Sequence, residues 1–200
     1  MTAGQGRGRP VRLASRNPGK LEELRALLAG SGWLPVPIPV ALPLLEPGAG
    51  YEANALAKAR LAAGDGVFGL GDDSGLEVAA LAGGPGWRSA FWGGADPCGW
   101  LLAALRGVPP PDRRARFVAA VALVAPDGRA WLGRGELAGT VATCRAGSGG
   151  FGYDPVFIPA GSTMTLAQWP AEQKNRISHR ARAVAAVLAR VSADGLTARR

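Results

Sequence analysis

The stretch VFGLGDDSG, residues 67–75, decides the fold. Val67 to Gly71 is a short apolar run just after Gly64, the pattern of a brief buried strand. It delivers Asp72 and Asp73 at its carboxyl end. Two adjacent carboxylates repel each other, which is costly unless a cation or solvent compensates. A hard divalent ion such as magnesium does this, using one or two carboxylates together with phosphate oxygens. The purely structural alternative is an Asx-type turn in which an aspartate caps a helix.

Working outward, Val11 to Ser15 reads as a strand running into the loop SRNPGK at 15–20. Leu21, Leu24, Leu27 and Leu28 then share one helical face, and Gly30 ends it. Residues 31–50 are rich in Pro and Gly and leave room for one extended segment at Val36 to Val40. A second helix covers Tyr51 to Ala63. Downstream of the aspartates, 75–86 holds an apolar segment and a turn, and 100–107 a helix. Arg116 to Ala125 is a strand, and the turn Pro126-Asp127-Gly128 folds it into a hairpin with 129–135. A separate strand is expected near Glu136 to Cys144. The glycine-rich loop GSGGFGYDP precedes a strand at Val156 to Ile158, and a helix from Ser178 to Val191 closes the chain. Mixed strands and helices of this kind predict an α/β or α+β fold. Residues 1–10 read as a flexible tail and 11–195 as one domain.

Composition removes several function classes. No apolar run reaches the length of a membrane span, and the Gly- and Arg-rich start has no signal-peptide core. Cys98 and Cys144 have neither CxxC spacing nor a nearby His, so no disulfide framework or zinc site is expected, and the cytoplasm is the expected compartment. The net charge of +8 is uneven. Residues 1–25 carry six basic and two acidic groups, and 174–200 carry seven and one. The middle, 26–173, carries ten basic against twelve acidic. A nucleic-acid-binding module needs a continuous basic stripe, which the middle lacks. Cations that hold phosphates, near carboxylates that hold a metal, fit the distribution better.

In a chain dominated by Ala, Gly, Arg, Leu and Pro, the rare residue types fall into four short segments. SRNPGK offers a hydroxyl, an amide and Lys20 just before a helix, whose free N–H groups suit an anion. It lacks the spacing of a Walker loop. YEANALAKAR at 51–60 places Glu52 at the favourable start of a helix, one turn and a half before Lys58. In the loop at 147–155, glycines let backbone N–H groups approach a ligand, while Phe151 or Tyr153 can stack on a base. KNRISHR at 174–180 gathers Lys174, His179 and Arg180 around a helix start.

Taken together, LASRNPGKLEEL, GDDSGLEVAALAGGPG, GSGGFGYDPVF and AEQKNRISHRARA resemble the inosine/xanthosine triphosphate pyrophosphatases, over residues 11–190. The resemblance implies a long central mixed sheet flanked by helices, with two lobes around a substrate cleft, usually in a homodimer. It implies magnesium-dependent hydrolysis of ITP, dITP or XTP to the monophosphate and pyrophosphate. Ser15, Arg16, Asn17, Pro18, Gly19 and Lys20 would hold the triphosphate. Asp73 would accept a proton and bind magnesium, with Asp72 beside it, Lys20 stabilising charge and Ser74 touching substrate. Phe151, Gly152, Tyr153, Asp154, Lys174, His179 and Arg180 would hold base and sugar-phosphate. Three departures stand out. Ala53 occupies the place of a family Glu, leaving Glu52 as the substitute metal ligand. Phe91 follows Ser89-Ala90 where the family has Arg, and Trp100 falls where the family is polar. The related Maf-type pyrophosphatases, with other base preferences, are the nearest alternative; the FGYDP and SHR segments speak against them.

Overall fold

The structure, a computed structural model, describes residues 8–38, 48 and 50–196. Among the described residues there are seven strands: β1 (Arg9–Ala14), β2 (Trp33–Val36), β3 (Phe68–Val78), β4 (Pro85–Gly86), β5 (Arg114–Val124), β6 (Ala130–Val141) and β7 (Phe157–Pro159). Five α-helices accompany them: α1 (Pro18–Leu28), α2 (Tyr51–Ala62), α3 (Pro97–Ala104), α4 (Ala171–Ile177) and α5 (His179–Ala193). The strands form one mixed sheet in the order β2-β1-β3-β5-β6-β7, with β4 added on β3. β1 is parallel to both β2 and β3, whereas β3 with β4 and β6 with β7 are antiparallel. Mixed strands and helices therefore form the α/β fold expected from the sequence. Among the described residues no helix is long and apolar enough to cross a membrane.

The described residues divide into two compact units, with the boundary between Asp73 and Ser74 inside β3. The first unit holds the chain up to Asp73, Ala120–Arg134 and the residues from Ala183 onward. Here β1 sits between β2 and β3, and both crossover connections carry a helix. Right-handed crossovers running in opposite directions, from β1 to β2 and from β2 back past β1 to β3, place α1 and α2 on opposite faces of the sheet. Apolar residues fill both sides: Val11, Leu13, Leu24, Leu28, Leu70, Ala55 and Ala59 are all buried. Trp33 packs edge-on against Phe68 with ring centroids 5.0 Å apart. Gly69 and Gly71 are the places where backbone approaches backbone. A Cβ at Gly69 would lie 2.1 Å from the Ala59 carbonyl oxygen, and one at Gly71 2.1 Å from that of Ala55. Only glycine lets α2 lie this close to β3.

The second unit, Ser74–Ala119 and Gly135–Arg182, has its own core. Leu76, Val78, Leu101, Leu105, Phe117, Leu137, Val141, Tyr153, Val156, Phe157 and Leu166 are buried together. Arg113 is buried beneath them with its guanidinium donating to the carbonyls of Leu105, Val108 and Ala142.

Several boundaries differ from the sequence reading. β1 starts at Arg9, so the end of the expected tail is strand; residues 1–7 lie outside the described residues, as do 39 and 40 of the expected segment at Val36–Val40. The extended segment itself falls earlier, at Trp33–Val36. The two strands expected over 129–144 are one continuous strand, β6. The largest change concerns DDSG. It does not follow the strand but lies within β3, which continues to Val78. The chain has no need to leave the sheet there, because each carboxylate has a cation.

Candidate active site

β1 ends at Ala14, opposite Gly71 of β3. Asp72 and Asp73 therefore extend just past the end of β1, where the strand order reverses and the loop 15–17 begins. Such a switch point is where open α/β sheets expose a crevice for ligands. Successive strand residues point to opposite faces. Asp73 shares the face of Gly69 and Gly71, against α2, and Asp72 takes the face of α1.

The cations follow this alternation. Lys20, at the start of α1, reaches Asp72 with Nζ 2.7 Å from Oδ2, and the Asp72 side chain is fully buried. On the other face, Lys58 Nζ donates to Asp73 Oδ1 at 2.9 Å and to the Asp72 carbonyl at 3.2 Å. Asn54, one turn earlier on α2, donates to Asp73 Oδ2 at 2.9 Å. Its own Oδ1 accepts the Gly48 N–H at 3.0 Å. Burial pushes the Asp73 carboxyl above the usual aspartate range, against the opposing pull of Lys58, Lys20 and the Asn54 hydrogen bond.

The loop before α1 is built for a helix start. Asn17 caps α1, its Oδ1 accepting the Lys20 N–H at 3.1 Å, and Pro18 opens the first turn. Ser15 Oγ accepts the Asn17 N–H at 3.2 Å. These residues bring a helix N-terminus and Lys20 to the same strand ends, an arrangement that attracts phosphate.

Glu52 departs from expectation. Its Oε1 lies 2.6 Å from Arg134 Nη1. Burial works against its charge, yet the Arg134 hydrogen bond, a backbone bond and the Arg134 charge hold its pKa down. Glu52 is thus an ion-pair partner of Arg134, and among the described residues no group of three or more His, Cys, Asp or Glu side chains gathers as a metal cage. Asn54 and Lys58, four residues apart, share the helix face toward β3, and Glu52 lies off it. Asp73 offers hard carboxylate oxygens of the kind magnesium takes, an ion that completes its shell with phosphates and water.

The second unit carries a different chemistry. Asp154 Oδ2 accepts the Phe151 N–H at 2.8 Å and the Lys174 ammonium at 2.6 Å. Gly150, at φ +69°, makes this turn possible, since a Cβ there would lie 2.0 Å from Asp154 Oδ2. The Phe151 ring has Lys174 Nζ 4.7 Å and Arg180 Cζ 5.5 Å from its centroid. Arg180 donates to Ser74 Oγ at 2.8 Å and is itself buried. His179 is also buried, stacked on Phe117 at 4.7 Å. Lys174 comes from α4, and His179 and Arg180 from the first turn of α5, where Ser178 Oγ accepts the Ala181 N–H.

Of the two aromatic residues proposed to stack on a base, the structure separates the roles. Tyr153 is buried in the core and its hydroxyl points to the Ser89 carbonyl at 3.4 Å. Its ring is used by the fold, which leaves Phe151 as the candidate of the two. Asn54 and Lys58 are the residues that motif reading left out of the site. Both belong to the rare residue types of the chain, and their spacing of four marks a shared helical face.

These features define an α/β protein with lysine-paired carboxylates at a sheet switch point and a cation–aromatic loop in its second unit. Comparison with known proteins identifies the group. The chain belongs to the Ham1 family, whose model matches residues 11–190. It is 46% identical over 186 residues to a dITP/XTP pyrophosphatase of Symbiobacterium thermophilum, covering 90% of this chain and 94% of that one. A dITP/XTP pyrophosphatase of Mycobacterium tuberculosis is 47% identical over 191 residues, covering 88% and 92%. Among solved structures, the Ham1 protein of Staphylococcus aureus superposes with a TM-score of 0.79 at 32% identity, covering 93% of this chain and all of that one. A nucleoside-triphosphatase / dITP/XTP pyrophosphatase of Mycobacterium abscessus gives 0.67 at 41% identity, covering 88% and 96%.

Proposed function

We propose that this chain hydrolyses the triphosphates of unusual purines, ITP, dITP and XTP, to monophosphate and pyrophosphate. The observation that carries the reading is the buried Asp73, held by Lys58 and Asn54 and raised in pKa. A carboxylate so placed has the basicity to accept a proton from a water attacking the α-phosphorus. Lys20 and the start of α1 bind the phosphate chain and stabilise the charge that develops as pyrophosphate departs. Lys58 and Asn54 keep Asp73 oriented. Asp73 would hold magnesium, which when bound would neutralise charge on the phosphate oxygens.

In the second unit, Phe151 stacks on the base, and the cations Lys174 and Arg180 with His179 serve the base edge and sugar-phosphate. Donors aimed at a 6-keto oxygen disfavour adenine, whose amino group leaves one of them unpaired. The dITP/XTP pyrophosphatase names of the relatives support the substrate class. We read the protein as a cytoplasmic homodimer on the same resemblance, and its two free cysteines accord with a reducing compartment.

Pyrophosphate release from ITP, XTP, dITP, GTP, ATP and dTTP, with magnesium and with EDTA, tests the reading. Magnesium-dependent release that favours ITP and XTP is expected. Preference for dTTP moves the protein toward the Maf-type activity, and no release from any nucleotide overturns the proposal.

A further inference from the structure

We infer that the start of α3 is a positioning brace for the loop 145–154, and that Cys98 sets the direction in which this loop presents its backbone to a base. Two side-chain contacts tie α3 to the loop. Asp96, which caps α3 through the Gly99 N–H at 3.0 Å, is ion-paired with Arg145 at the loop's beginning. Cys98 Sγ donates to the Gly152 carbonyl at 3.2 Å, one residue past Phe151. The helix itself is a firm support, because its Leu101, and Leu105 just past its end, are fully buried in the core that also holds Cys98.

Gly152 has φ +61°, so its carbonyl direction is not restrained by a side chain of its own. The peptide joining Gly152 to Tyr153 is planar and trans, and a carbonyl fixed on one side aims the Tyr153 N–H to the other. The Tyr153 ring is anchored separately in the core, with its hydroxyl at the Ser89 carbonyl. Asp154, bonded to Lys174 and the Phe151 N–H, fastens the other side of the turn. With Cys98 bonded, the Gly150–Phe151 and Gly152–Tyr153 peptides both have fixed directions, which reading donors and acceptors on a purine requires. Cys98 is a positioning residue that acts through the loop.

This inference rests on residues 151–154 being the base-recognition loop, so its test has one arm that depends on that reading and one that does not. In the first arm, Cys98→Ala and Cys98→Ser are compared with the wild type by steady-state kinetics on ITP, XTP and GTP. Cys98→Ala is expected to raise KM for ITP about threefold, with kcat little changed and the preference for ITP over GTP narrowed. Cys98→Ser, whose hydroxyl donates to the same carbonyl, is expected to restore both. An unchanged KM and preference in a folded Cys98→Ala protein overturns the specificity role, as does a serine variant that behaves like alanine. In the second arm, hydrogen exchange of the segment 149–154 is expected to quicken in Cys98→Ala and return in Cys98→Ser; equal exchange in all three overturns the brace itself. If the wild type releases no pyrophosphate, the functional reading fails while the exchange result still decides the brace.

Discussion

Asp73 and Lys58 are buried together, each with little water to replace the other. Removing one partner from such a pair leaves an uncompensated charge, at a cost of about 3–5 kcal/mol. Lys58→Met is therefore expected to lower stability by about that amount, and adding Asp73→Asn to recover much of it. Urea denaturation of the two single variants and the double variant checks this; losses that simply add would show the pair to be uncoupled. Tyr153 makes a second prediction at this scale. Burial raises its hydroxyl pKa to about 12 from 10.0. A raised pKa means the folded state favours the protonated form, so the contribution is complete below pH 10 and lost as pH climbs toward 12. The Tm of the wild type is expected to fall over that interval more steeply than that of Tyr153→Phe. Parallel melting curves against pH would remove Tyr153 from the alkaline transition.

At the scale of elements, β3 and α2 work as a pair. Gly71 lets α2 approach until Asn54 and Lys58 reach Asp73, and a Cβ there meets the Ala55 carbonyl oxygen at 2.1 Å. Gly71→Ala forces the helix outward, costing about 1–3 kcal/mol or more. Turnover is expected to fall much further than stability, because an error of about 1 Å in a catalytic group costs about 100-fold. Activity per folded molecule, measured beside chemical denaturation, separates the two losses. The same pair shows what a sequence can reveal. Apolar spacing at Leu24 and Leu28 and the turn at Pro126-Asp127-Gly128 made α1 and the β5–β6 hairpin legible, since they depend on local patterns. The sequence ends β3 too early because Asp72 and Asp73 look like a strand's end, whereas the strand runs to Val78. Their burial depends on lysines distant in sequence, at 20 and 58, and period and composition carry no record of such pairings. The ion pair of Glu52 is illegible for a similar reason: its partner, Arg134, lies on β6, far along the chain from the 51–60 segment. Phe151 and Tyr153 were equally plausible stacking residues until the core claimed Tyr153.

Across the whole molecule, charge and chemistry point the same way. The chain carries a net charge of +8, concentrated toward its two ends, and the proposed substrate is a small polyanion. A field of that sign draws a triphosphate toward the protein, accelerating encounter in a manner that salt suppresses. At 0.1 M salt the screening length is about 10 Å, so distant arginines lose most of their effect while Lys20, within bonding distance of Asp72, keeps its own. kcat/KM for ITP is therefore expected to fall severalfold between about 0.02 M and about 0.3 M KCl, with kcat nearly constant because the chemical step follows binding. Lys20→Ala is expected to lower kcat/KM at every salt concentration, whereas replacing arginines remote from the site should chiefly flatten the salt dependence. Steady-state rates at graded KCl, with magnesium held constant, distinguish these contributions. If kcat/KM does not respond to salt, the net charge has no part in substrate capture, and tight salt-sensitive binding to DNA or RNA without metal would assign that charge to nucleic acid instead.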